Sequence, residues 1–217
     1  MADLERRAHG HCAAPNTEED RIVKIPPRPA DKAQHGELET LEDLDFTTPV
    51  PLPPITNAQA MALTEDVEIG SSELRTKGFF VTVPRSGAHA PLTASKPVII
   101  IIDDDESVCN ILETYLGDNG FETRSAGNRA AIMRELGRRP LPDLILCDVQ
   151  MPDANGFDLL HKFRQSKVLG SVPVVMLTAH GEKDDIIRGL SLGAAGYITK
   201  PARLGVVKDA VRKLLMS

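Results

Sequence analysis

Apolar and polar positions follow two different regimes along the 217-residue chain, and the change falls near Pro97. Beyond it, short apolar runs alternate with stretches of helical period. "VIIII" (98–102), "FETRS" (121–125), "LILCD" (144–148), "VVMLT" (174–178) and "GYIT" (196–199) read as strands. Between the first two, Val108, Ile111, Leu112, Tyr115 and Leu116 recur at i, i+3, i+4 and i+7, the stripe of a helix that buries one side. "RAAIMREL" (129–136), "FDLLHKFRQ" (157–165) and "DDIIRGLSL" (184–192) read as further helices. A fifth, "LGVVKDAVRKLL" (204–215), places Leu204, Val207, Val211, Leu214 and Leu215 on one face. The order is βαβαβαβαβα. Several strands are apolar without alternation, as expected when helices cover both faces of a parallel sheet. Right-handed crossovers leave few topologies. The pattern predicts a five-stranded, doubly wound α/β domain over residues 96–217.

Before Pro97 no such periodicity is sustained. Of 16 prolines, 11 lie at or before Pro97, and "PPRPADKAQ" and "TTPVPLPPI" favour extended backbone. Residues 1–95 therefore read as a Pro-rich, acidic, mostly disordered extension that buries too little apolar surface to offset chain entropy. Two pieces stand out. "GELETLEDLDF" (36–46) fits either a docking helix or a solvated acidic linker, and the linker reading is favoured. "TNAQAMAL" opens with a capping-box pattern, Thr56 to Gln59. "GFFVTV" (78–83) reads as a short strand that packs on the main domain, extends a sheet edge or forms an apolar patch in a linker. Sequence does not separate these.

Composition narrows the class. There is no Trp and aromatics are 4%, so the core is aliphatic. A net charge of −6 argues against nonspecific binding to nucleic acid or an anionic membrane. Cys12, Cys109 and Cys147 show no metal spacing and fit a reducing compartment. No secretory h-region and no apolar run of ~20 residues occurs, so a cytoplasmic protein is expected.

In doubly wound sheets the ligand crevice lies at the carboxyl ends of the strands. The first strand ends in Asp103 and Asp104, the third in Asp148 and the fourth in Thr178, and the fifth is followed by Lys200 and Pro201. Nearby carboxylates raise one another's pKa, and a hard divalent cation relieves that strain. Oxygen-only donors in small number suit Mg²⁺. With a lysine and a hydroxyl to meet phosphate oxygens, the set suits phosphoryl transfer, with a carboxylate able to serve as nucleophile. Singly, each residue has an ordinary explanation. Asp is common at turns and caps, and Asp105 reads as the first helix's cap. A lone Lys200 is a surface lysine, and Thr178 a strand end. Cys147 is a small buried hydrophobe. Their joint placement at one edge carries the functional reading.

With these residues in view, the segment from Val98 onward resembles the receiver domain of two-component response regulators, a flavodoxin-like (βα)5 fold. "IIDDDES" resembles that family's acidic pair. "LILCDVQMPDANGFDLL" resembles its phosphoacceptor segment, "VVMLTAH" its hydroxyl motif, and "GAAGYITKPA" its Lys-Pro motif with a switch aromatic. The resemblance implies that Asp148 is the phosphoacceptor. Asp104 is a direct Mg²⁺ ligand, Asp103 acts mainly through water, and the Gln150 backbone carbonyl completes the set. Lys200 contacts the phosphoryl group, while Thr178 and Tyr197 switch in concert. The bond before Pro201 is expected to be cis. Ala202 departs from the family's usual Phe. Gln150 and His180 occupy variable positions that tune phosphate lifetime, although His180 also fits a plain exposed loop residue.

The expected protein is a receiver-only response regulator. A histidine kinase or phosphotransfer protein supplies the phosphoryl group. The fourth helix, fifth strand and fifth helix then present Lys183, Ile187 and Arg188 differently to an unknown output protein or to a second copy in a homodimer. No helix-turn-helix or basic reader of nucleic acid is evident. The role of the extension as output, tether or inhibitor stays open. Two alternatives are disfavoured. Asp103-x-Asp105 resembles the nucleophile motif of haloacid-dehalogenase-like phosphatases. Their later acidic pair has no counterpart, because only Asp209 follows Lys200, and Asp148 is left without a task. A receiver-like module that is never phosphorylated should lack an acidic, Thr or Lys position, and all are present.

Overall fold

A six-stranded sheet forms the centre of the molecule, one strand more than the periodicity predicts. The computed structural model describes residues 48–82, 96–179 and 183–216. The acidic stretch 36–46 and His180 lie outside the described residues. The elements, in chain order, are α1 (Asn57–Lys77), β1 (Phe79–Val81), β2 (Val98–Ile102), α2 (Glu106–Asp118), β3 (Glu122–Ala126), α3 (Arg129–Gly137), β4 (Leu144–Asp148), α4 (Gly156–Gln165), β5 (Val174–Thr178), α5 (Lys183–Ser191), β6 (Gly196–Thr199) and α6 (Leu204–Leu215). The sheet order is β1-β6-β5-β4-β2-β3. All pairings are parallel except β1 with β6.

The strands lack alternation for the reason inferred from sequence. Every residue of β2, β4 and β5 is buried. Their side chains divide between two apolar layers. Ile100, Ile102, Ile145, Val174 and Met176 meet Ile132, Leu160, Phe163 and Ile186 on the side of α3, α4 and α5. Ile99, Ile101, Leu144, Leu146 and Val175 meet Leu112, Leu116, Val207 and Val211 on the side of α2 and α6. Each buried side chain of this size contributes about 1.5–3 kcal/mol of transfer free energy. The chain leaves β2 toward β3 in one direction and toward β4 in the other. The switch point that results opens a crevice at the carboxyl ends of β2 and β4.

The expectation of disorder up to residue 95 is corrected for residues 57–82. The Thr56–Gln59 capping box forms: Thr56 Oγ1 accepts from Gln59 N–H at 3.2 Å, and Gln59 Oε1 accepts from Thr56 N–H at 3.0 Å. Helix α1 stops at Gly78, whose φ of 81° is left-handed, and whose N–H returns to Leu74 O at 2.9 Å. Of the three readings of "GFFVTV", the sheet-edge reading is the observed one. Phe79, Phe80 and Val81 pair with Ile198, Tyr197 and Gly196. Helix α1 packs on α5 and on β1. Ahead of α1, Leu52 packs on the core, and Lys162 Nζ donates to Thr48 O at 2.7 Å. Local pattern alone did not reveal this, because α1 is only weakly amphipathic and carries Gly70, Ser71 and Ser72 mid-helix. Tertiary packing forms it. Among the described residues, no helix is long and apolar enough to cross a membrane.

Candidate functional site

The crevice collects the acidic residues by strand geometry. Asp103 directly follows β2 and is almost fully buried, Asp104 is exposed, and Asp148 ends β4 with 6% of its surface exposed. Their carboxylate oxygens lie within 4.8 Å of one another. Asp105 stands apart from the pair, as expected. Its carboxylate accepts from Ser107 N–H at 2.8 Å and Val108 N–H at 3.3 Å, capping α2. The Asp105 N–H in turn donates to Asp103 Oδ1 at 3.1 Å, which fixes that carboxylate.

Lys200 joins the two buried carboxylates. Its Nζ lies 2.7 Å from Asp103 Oδ2 and 2.8 Å from Asp148 Oδ2. Burial opposes its charge, but the two carboxylates outweigh burial and hold its pKa above that of an ordinary lysine. Burial likewise pushes the Asp148 carboxyl above the usual carboxylate range, against the lowering effect of Lys200 and with the charge of Asp103 adding to the rise. Burial disfavours the thiolate form of the neighbouring Cys109 and Cys147. Burial pushes Cys109 up to about 12 and Cys147 higher still.

The rest of the rim is set by backbone. Thr178 ends β5, is buried, and its carbonyl accepts from Lys200 N–H at 2.8 Å. Gln150 is exposed, and its N–H reaches Asp148 Oδ1 at 3.4 Å. The loop from β4 folds back so tightly that a Cβ on Gly156 would stand 2.2 Å from Asp148 O, so only glycine fits. Across the mouth, Arg129 N–H donates to Asp153 Oδ2 at 3.2 Å, and Arg129 Nε donates to Asp153 O. The Lys200–Pro201 bond is cis, as expected, and Arg139–Pro140 is cis as well.

Tyr197 is wholly buried, and its hydroxyl donates to Asp185 O at 2.9 Å. A Cβ on Gly189 would lie 1.6 Å from that hydroxyl. On α5, Lys183 and Arg188 are exposed, Ile187 packs partly into the core, and Arg188 lies over the Phe157 ring at 5.4 Å. Two neighbours of the site were not anticipated. Thr199 donates through N–H and Oγ1 to Gly78 O at 3.1 and 3.3 Å. Phe80 pairs across from Tyr197. The apolar "FFV" run signalled a strand, but nothing local signalled its partner.

Three carboxylates against one ammonium leave excess negative charge in a pocket of oxygen donors, which fits a hard divalent cation. A doubly wound parallel sheet with such an acidic pocket at its switch point defines a flavodoxin-like α/β domain. Residues 99–212 match the response regulator receiver domain, and the chain belongs to that family. Domains of this family are generally signalling modules rather than classical enzymes. Such domains generally hold Mg²⁺ at an acidic pocket and take part with histidine kinases or phosphotransfer proteins in signalling.

The chain is similar to the transcriptional regulatory protein GltR of Pseudomonas aeruginosa, at 37% identity over 110 residues, covering 51% of this chain and 45% of the relative. It is 38% identical over 107 residues to the phosphate regulon transcriptional regulatory protein PhoB of Escherichia coli, covering 48% of this chain and 44% of that one. The match thus spans less than half the length of these curated relatives. Among solved structures, a response regulator of Chloroflexus aurantiacus matches with a TM-score of 0.52 at 31% identity, covering 56% of this chain and 99% of that one. The Vibrio cholerae chemotaxis protein CheY4 matches with a TM-score of 0.52 at 26% identity, covering 55% and 99%.

Proposed function

We propose that this response regulator accepts a phosphoryl group on Asp148 from a partner phosphohistidine and passes the signal to a protein partner. The observation that carries the reading is the Lys200 ammonium held between Asp103 and Asp148, 2.7 and 2.8 Å away, beside the exposed Asp104. Asp103, Asp104, Asp148 and the Gln150 carbonyl are the groups to hold Mg²⁺, which when bound neutralises charge on the phosphoryl oxygens. An Asp148 carboxylate oxygen attacks phosphorus in line, the P–N bond to the donor imidazole breaks, and its electron pair stays on that ring. Lys200 then pairs with a phosphoryl oxygen, and the Thr178 hydroxyl donates to another. Tyr197 and α5 respond to the movement of Thr178. The reading as a haloacid-dehalogenase-like phosphatase is disfavoured. Asp105, the second acid of its motif, is engaged in capping α2. A cytoplasmic setting suits a kinase partner.

Incubation with acetyl phosphate and Mg²⁺ is expected to add one phosphoryl mass to the wild type and none to Asp148→Asn. Mg²⁺-dependent labelling retained in that variant overturns the assignment, and labelling lost instead in Asp103→Asn alone favours the phosphatase.

A further inference from the structure

We propose that residues 57–82 are a displaceable occupant of the α5–β6–α6 face, docked while Asp148 is unmodified and loosened when it carries a phosphoryl group. The inference rests on the receiver reading above and adds to it a job for the extension. Helix α1 lies on α5, and β1 completes the sheet beside β6 and packs against α6. Part of the face expected to meet an output protein or a second copy is thus already covered by the chain itself, while Lys183 and Arg188 stay exposed.

Two physical connections join this occupant to the site. The first runs through the backbone. Thr199 gives both its N–H and its hydroxyl to Gly78 O, at the turn between α1 and β1. The next residue, Lys200, is held by Asp103 and Asp148. A dianionic group on Asp148 offers Lys200 new oxygen partners, and any shift of Lys200 acts on the Thr199–Gly78 link. The second runs through side chains. Tyr197 fills the slot left by Gly189, and its hydroxyl is fixed to Asp185 O in the first turn of α5. Phe80 stands opposite Tyr197 in the pairing and shares its apolar layer. Helix α1 passes so close to the Phe80 ring that a Cβ on Gly70 would stand 2.9 Å from it. A movement of α5 or Tyr197 therefore cannot leave Phe80 and α1 where they are, because a close-packed interior does not deform continuously.

The docked unit also carries the marks of a contact that can open. Ser71 is buried, yet its hydroxyl has no hydrogen-bond partner among the described residues. A cleft of about 180 Å³ remains at the seam, lined by Leu74, Arg75, Gly78, Thr199, Pro201 and Val206 among others. Strand β1 has three residues, and α1 holds poor helix formers at its middle. The capping box and the Gly78 turn support α1 only at its ends, so the middle of the helix depends on the face it packs against.

Hydrogen exchange of the full chain, read by mass spectrometry with Mg²⁺ and beryllium fluoride as phosphoryl mimic, tests this. Exchange in residues 79–81 and in α1 is expected to accelerate at least tenfold on uptake of the mimic, with β2 unchanged and with no effect in Asp148→Asn. By linkage, displacement and uptake favour each other. Phe80→Ala should therefore exchange fast without the mimic and bind it more tightly. Ser71→Ala, which keeps the fold and removes the unpaired hydroxyl, should slow exchange and weaken uptake. Uptake at Asp148 with unchanged or slower exchange in residues 57–82 overturns the proposal and spares the receiver reading. No uptake at Asp148 overturns both.

Discussion

Gly189 and Tyr197 show how one residue's missing side chain decides another's position. The Tyr197 hydroxyl occupies the volume a Cβ on residue 189 would need. Gly189→Ala is expected to destabilise the chain by about 1–3 kcal/mol through overpacking, read as a lower urea midpoint. Tyr197→Phe alone should cost about 1 kcal/mol for the lost bond to Asp185 O. The double variant should be less damaged than the sum of the two, since the clash is partly removed with the hydroxyl. Most of the candidate site was legible at this scale. Asp103, Asp104, Asp148, Thr178 and Lys200 each sit at a strand's carboxyl end, and a strand end can be read from where an apolar run stops. Gly156 and the Arg129–Asp153 clasp were not legible in the same way. They depend on how two loops approach, which no local period encodes.

At the scale of elements, capping and pattern agree with the observed starts. Asp105, Asn128 and Asn155 each accept a backbone N–H at the head of their helices. Helix α3 carries the clearest electrostatic feature outside the site. Glu135 is buried, with Arg134 and Arg138 at 2.9 and 2.7 Å. Burial alone would raise its pKa, but the two arginines outweigh burial and hold it below the usual value. Because the folded-state pKa is depressed, the stabilisation is full above the ordinary carboxylate range and is lost as pH falls through the lowered value. Both arginines are more than half exposed, so screening keeps the effect to about 1 kcal/mol. Glu135→Gln should therefore be less stable than wild type by that amount at pH 7, with the difference shrinking as pH falls through the lowered Glu135 value, in denaturant titrations. Helix α1 was legible only at its cap. Its low amphipathicity gave no face to predict from, because α5 and the ring of Phe80 define that face.

At the scale of the molecule, the sheet has one antiparallel strand at its edge, and that strand belongs to the segment ahead of the receiver. The parallel part was predictable because its strands are buried on both sides. The added strand was not, because three residues of "FFV" specify a strand without specifying which edge accepts it. The solved structures named above match across nearly their whole length while covering 56% and 55% of this chain, and the receiver portion is expected to fold alone. Deleting residues 1–82 uncovers the β6 edge and the Tyr197 side of α5. Such an edge invites strand pairing between copies. Light scattering should show concentration-dependent association of the shortened chain and not of the full one. The strand order has one more consequence. Between β1 and β2 lie β6, β5 and β4, so these two strands stand four strand spacings apart, roughly 19 Å. Because α1 and β1 are covalently joined to the rest of the chain, they stay near their face at a local concentration on the order of millimolar. Any separate ligand for that face competes against this internal one. The response threshold then becomes a property of chain length as much as of contacts, and a tether four times longer should lower it about eightfold.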